Sequence, residues 1–225
     1  MIDNFNRFVI PNLDLLGQGL WITIWICAVA FAMAVVIGAV ACVVRVYVPV
    51  LNVVAIAYIE FARATPILVQ LLWVNYVWPE LFGFPQSVAW AGVIALAIQS
   101  SGYLAETFRS GIEGLSRGQV EAGFAVGMSR TKIFRRIIVP QVLLVMAPSI
   151  VNQLAVIVKA STLVSVIAIP DLMYNALKIV NQWFEPIEVL TFVAAIYVTT
   201  IYLLSATAKY IADRFRGKYG LAAFT

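Results

Sequence analysis

Residues 19–44, GLWITIWICAVAFAMAVVIGAVACVV, contain no charged side chain. This stretch limits the fold severely, because about 20 apolar residues already cross a hydrocarbon core roughly 30 Å thick. In that solvent every backbone N–H and C=O has to be satisfied inside the protein, so the stretch must be helical. The segment before it carries Asp3, Arg7 and Asp14 and lacks the basic start of a signal peptide, while the apolar run itself is too long for one. It is read as a retained span. Composition agrees: 63% of the 225 residues are hydrophobic and 12% are charged.

Four further apolar blocks follow, at about 52–77, 88–108, 138–163 and 189–208. The expected fold is therefore an all-α integral membrane protein with five spans, forming one domain over residues 1–225. The run LVSVIAIPDL at 163–172 is apolar as well, but it is too short before Pro170 to cross. It suggests a short re-entrant or interfacial helix before the last span, with its ends buried by protein.

Orientation follows from the basic residues, which are retained on the cytoplasmic side of a span. One set of alternate connections holds Arg45, Arg109, Arg117, Arg130, Lys132, Arg135, Arg136, Lys209, Arg214, Arg216 and Lys218, against Arg7 and Lys178 in the other. This split puts the N-terminus outside and the C-terminus in the cytoplasm, consistent with an odd number of spans.

The absence of His disfavours Ser/His and Cys/His dyads and removes the commonest metal ligand. Cys27 and Cys42 lie 15 residues apart on one helix, roughly 22 Å, and cannot pair with each other. No GxxxxGK[ST] loop is present to cradle a nucleotide phosphate, so any ATP used must be bound by another chain. The net charge of +4 lies in loops beside spans and does not imply nucleic acid.

The loop at about 112–136 is different in kind: GLSRGQVEAGFAVGMSRTKIFRRIIVPQ, residues 114–141, holds five of the fifteen basic residues and four Gly. Ser116 and Gln119 match a capping box that starts a helix. Gly127 is placed to end it in the left-handed conformation. Ser129 can cap a second helix leading to Pro140. Two short helices should meet at a Gly-centred elbow, the first with small residues for close approach and an apolar ridge of Val120 and Phe124. A basic loop lying on the lipid surface is the other reading of the same residues.

The stretch EAGFAVGMSRTKIFRRIIVP resembles the EAA loop of bacterial ABC importer permeases, with Gly123 where that pattern has its second Ala. FARATPILVQLL, SGYLAETFRSGI and PSIVNQLAVIVKASTLVSVIAIPDL resemble further elements of the polar amino acid importer subfamily, in the same order. The resemblance implies that Glu121, Ala122, Gly123, Phe124, Gly127 and Arg130 face a cleft in a separate ATPase, which binds the ATP and Mg. It implies a second permease subunit, an extracytoplasmic binding protein, an amino acid substrate and a bacterial inner-membrane location. This chain would hold no cofactor itself.

Polar groups inside spans are expensive and are therefore candidates for the transport path. Glu60 and Arg63 are three residues apart, with Gln70 seven beyond on the same face and Pro66 breaking the helix between them. Gln99 and Glu106 share a face of the third span, where Glu106 can also pair with Arg109. Ser149, Asn152 and Lys159 fall close to one stripe of the fourth span, with Gln153 beside it. Asn and Gln there serve equally to bind helix to helix. Lys159 has no obvious exit to water. The resemblance adds Ser161 and Thr162 of KASTL, where Ala160 replaces the family's Asp and removes any Lys–Asp pair.

An ion-coupled secondary transporter using Glu60, Glu106 and Lys159 as a relay is the alternative function, although such a carrier has no need of the elbow. A membrane-embedded hydrolase lacks a plausible nucleophile and base.

Overall fold

The computed structural model describes residues 7, 9–114 and 117–218. Every regular element among them is helical. The main helices are α1 (Leu13–Tyr47), α2 (Asn52–Ala64), α3 (Ile67–Leu72), α4 (Trp78–Phe82), α5 (Val88–Glu113), α6 (Arg117–Ala125), α7 (Arg130–Ile133), α8 (Val139–Ala160), α9 (Leu172–Trp183) and α10 (Pro186–Lys218).

Among the described residues, four helices are long and apolar enough to cross a membrane. The second expected span, 52–77, is not straight: Pro49–Ala64 and Ile67–Phe82 meet at 105° and make a fifth crossing only as a bent pair. Pro66 causes the break. It has no N–H to continue the ladder, and it forces Thr65 to the extended conformation, ψ 125°. The Thr65 hydroxyl turns back and donates to the Phe61 carbonyl at 2.7 Å. Segments with the wider π-type pairing, Trp73–Val77 and Phe134–Ile138, join α3 to α4 and α7 to α8.

Helix α5 is the hub, with α1, α2, α3 and α8 packed on it. Small residues let the backbones close in. A Cβ added at Gly38 of α1 would stand 2.8 Å from the Ser101 carbonyl oxygen, and one at Gly102 of α5 would stand 2.9 Å from the Ala62 Cβ of α2. In lipid, such close packing replaces the hydrophobic drive that joins helices in water.

The apolar run expected to hold a short helix before the last span is helical only in its first part, and as a 3₁₀ helix. Residues Ser161–Ile167 prolong α8 as a 3₁₀ stretch that ends at Ala168, φ 61°. The short helix, α9, begins after Pro170. Asp171 caps it, its Oδ1 accepting from the Tyr174 N–H at 2.8 Å. The Leu172 N–H donates to the Thr23 hydroxyl at 3.1 Å, and the Asn175 amide donates to the Leu15 carbonyl at 2.8 Å, so α9 is hooked to the N-terminal end of α1. Asp171 is fully buried. Burial pushes its carboxyl up to about 6, against the hydrogen bonds from the backbone that pull it down.

Candidate functional site

The elbow forms as a Schellman turn. Met128 N–H donates to the Gly123 carbonyl at 3.0 Å and Gly127 N–H to the Phe124 carbonyl at 2.9 Å, with Gly127 at φ +74°. Ser129 then caps α7, its hydroxyl accepting from the Lys132 N–H at 3.4 Å. Ser116 of the expected capping box lies outside the described residues. The two helices touch at Gly123, where an added Cβ would stand 2.9 Å from Ile133 Cγ1. Ile133 is buried there. Glu121, Ala122, Ala125, Gly127 and Arg130 are exposed, as is Phe124 at 47%. Phe124 and Val120 line a shallow groove with Arg130 and Tyr47. The arrangement is a two-helix knob, closed on itself at Gly123 and Ile133, that leaves small, apolar and charged groups exposed.

A cavity of about 710 Å³ opens between α5 and α8, near the end of α2. Four of the expected path residues line it: Arg63, Glu106, Asn152 and Gln153. Ser149, on the same stripe of α8, joins them, as do Tyr103, Thr107 and Ser110. The last three were missed, yet with Glu106 they form one polar face of α5 at helical spacing, a signal available in the residues themselves.

Each charge has a defined neighbour. The Arg63 guanidinium carbon lies 5.6 Å from the centre of the Tyr103 ring, and its Nη1 is 3.4 Å from Glu60. Arg63 Nε is buried and meets no acceptor. Glu106 accepts from Arg45 of α1 on Oε1 and from Arg109 Nε on Oε2 at 3.0 Å, and Arg109 reaches on to Glu113 at 2.5 Å.

The remaining candidates lie elsewhere. Gln70 is fully buried on α3 with neither amide atom bonded, and Gln99 is half-buried; neither lines the cavity. Ser161 and Thr162 donate to the carbonyls of Val158 and Lys159 at 2.9 and 2.8 Å. Lys159 is exposed on the surface of α8 and does not line the cavity. It does share a stripe with Asn152, but seven residues along a helix carry it about 10 Å past the cavity.

The family model described as binding-protein-dependent transport system inner membrane component matches residues 34–217. The chain is 30% identical over 209 residues to the arginine transport system permease protein ArtQ of Bacillus subtilis, covering 92% of this chain and 95% of that one. It is 31% identical over 208 residues to the glutamine transport system permease protein GlnP of Escherichia coli, covering 92% and 95%. Among solved structures, an amino acid ABC transporter with histidines superposes at a TM-score of 0.83, with 32% identity over 91% of this chain and 96% of that one. The MetNI methionine ABC transporter in an inward-facing form shares the fold at a TM-score of 0.79 and 19% identity, over 92% and 98%.

Proposed function

Because the chain belongs to the family of binding-protein-dependent transport system inner membrane components and is the permease subunit of an ABC importer for amino acids, we propose that its elbow is the point at which an ATPase drives it. ATP and Mg are bound by that partner. The permease pairs with a second permease subunit, homomeric or closely related, and takes polar amino acids from an extracytoplasmic binding protein. The elbow and C-terminus face the cytoplasm and the N-terminus faces outward, as the distribution of basic residues requires.

The observation that supports this reading is the elbow itself: a rigid turn at Gly127 presenting Phe124 and Glu121 to solvent, on a chain with no nucleotide loop. Closure of the ATPase dimer pushes α6. Helix α5 passes the motion to the helices packed on it, because its last turn leads into α6. The cavity then opens alternately to the two sides, with Arg63, Glu106, Asn152 and Gln153 in its wall.

The test is reconstitution of the chain with its ATPase and binding protein in proteoliposomes. Uptake of tritiated amino acids should require ATP and survive collapse of the proton and sodium gradients. Uptake that persists without ATP and follows an ion gradient would support the secondary-transporter alternative instead.

A further inference from the structure

Glu106 is the one acid among the described residues lining the cavity, and neither of its oxygens is free. A ligand ammonium could take one only by displacing Arg45, which would be left unpaired in a partly buried place, or Arg109, which would keep only Glu113. Arg63 is in the opposite condition. Its one carboxylate neighbour, Glu60, is 59% exposed at 3.4 Å, so water screens the pair. Its Nε is buried with nothing to donate to, a costly state for a charged donor. On the facing wall Gln153 is only 8% exposed and, like Ser149 and Asn152, makes no side-chain hydrogen bond among the described residues. The cavity thus carries unspent hydrogen-bonding groups and one under-neutralised cation.

We propose that this cavity, taken as the substrate site of the importer described above, holds an α-amino acid by its carboxylate on Arg63 and favours neutral amide or acidic side chains over cationic ones. The carboxylate meets the guanidinium in a charge-assisted bond. The α-ammonium donates to the amide oxygens of Asn152 and Gln153, each of which offers one acceptor group and two N–H donors. The donors left on those amides, with the hydroxyls of Ser149 and Ser110, suit a side chain ending in an amide or carboxylate. A lysine or arginine side chain brings a second cation beside Arg63 with no free carboxylate in the cavity to receive it, so the like charges repel without compensation. The volume of about 710 Å³ suits a small polar ligand.

The experiment measures equilibrium binding to the purified complex of this chain with its ATPase in nanodiscs, without binding protein. The probes are tritiated L-glutamine, L-glutamate, L-arginine and L-lysine. Glutamine and glutamate should bind at least about tenfold more tightly than the two basic amino acids. Arg63→Gln should weaken them about tenfold or more, and Arg63→Lys should recover part of the loss by restoring charge without the fork. Glutamine lacking its carboxylate, 4-aminobutanamide, should compete poorly with wild type and equally poorly with Arg63→Gln. Arginine binding as tightly as glutamine overturns the proposal, as does an unchanged affinity in Arg63→Gln or the binding of no probe to wild type. If those failures occur while the full assembly still shows ATP-driven amino acid uptake, the importer reading stands and the site assignment alone falls. An assembly that takes up no amino acid removes both.

Discussion

Arg45 and Glu106 pair across α1 and α5 although 61 positions separate them in the chain. With Arg109 and Glu113 they form a line of alternating charge leading from the cavity wall to the last turn before the elbow. Removing the Glu106 charge leaves two guanidinium groups facing each other. Glu106→Gln should therefore destabilise the chain by about 1–3 kcal/mol, more than Arg45→Met does, because both sites are partly exposed and partly screened. The double variant should cost less than the sum of the two. Thermal unfolding of the four proteins in one detergent provides the cycle, and simple additivity refutes the pairing.

The Gly127 backbone sits at φ +74° with open space around it. Gly127→Val should cost about 1 kcal/mol or more in the elbow from the left-handed conformation alone. Membrane insertion should remain normal, since the spans do not depend on this position, while uptake and ATPase co-purification fail. Glu121→Lys should impair coupling with equal insertion. Normal transport by Gly127→Val would leave the loop as a topology signal only.

At Gly123 the constraint is contact with Ile133 rather than backbone angle. Gly123→Ala restores the residue type of the EAA pattern, yet it should weaken ATPase co-purification by crowding Ile133, at roughly 1 kcal/mol of strain. Ile133→Ala, which removes both Cγ1 and Cδ1, should relieve that crowding. A single variant that co-purifies as well as wild type contradicts this.

Lys159→Met should leave the KM for uptake within about twofold of wild type, since Lys159 is exposed and outside the cavity. A rise in KM of tenfold or more returns Lys159 to the path.

Asp171 gives a pH dependence whose sign can be worked out. Its carboxyl is raised to about 6 by burial, so the folded chain holds that proton more tightly than the unfolded chain does. The resulting stabilisation is fully present below about pH 4 and is lost as pH rises through 6, up to about 3 kcal/mol. Unfolding temperature should accordingly fall between about pH 4 and pH 6 and level off above. Asp171→Asn keeps an oxygen for the cap and should flatten that slope; an unchanged slope assigns it to other groups.

The five apolar blocks were legible because hydrocarbon leaves a chain few options, and the elbow because Gly127 and Ser129 have local conformational roles. What escaped was relational. Pro66 announced a break, but the 105° between its arms depends on how α2 and α3 each pack on α5. Arg45 gave no spacing signal toward Glu106, since its partner lies on another helix. The helix after Pro170 went unexpected: the apolar run before it drew attention, while Asp171, a strong N-cap residue, marked its start. Lys159 shares the angle of Asn152 around α8, but its height along the helix, seven residues further on, is not part of that periodicity.

Helix α5 is made third, after α1 and the bent pair that rest on it. The residues preceding Val88 therefore enter the bilayer before their organising surface exists. During that interval Gly38 of α1 lacks the turn of α5 holding Ser101 and Leu104, against which it closes. Biogenesis thus runs counter to architecture: the early helices are committed to the membrane first and given their places only when a later one arrives.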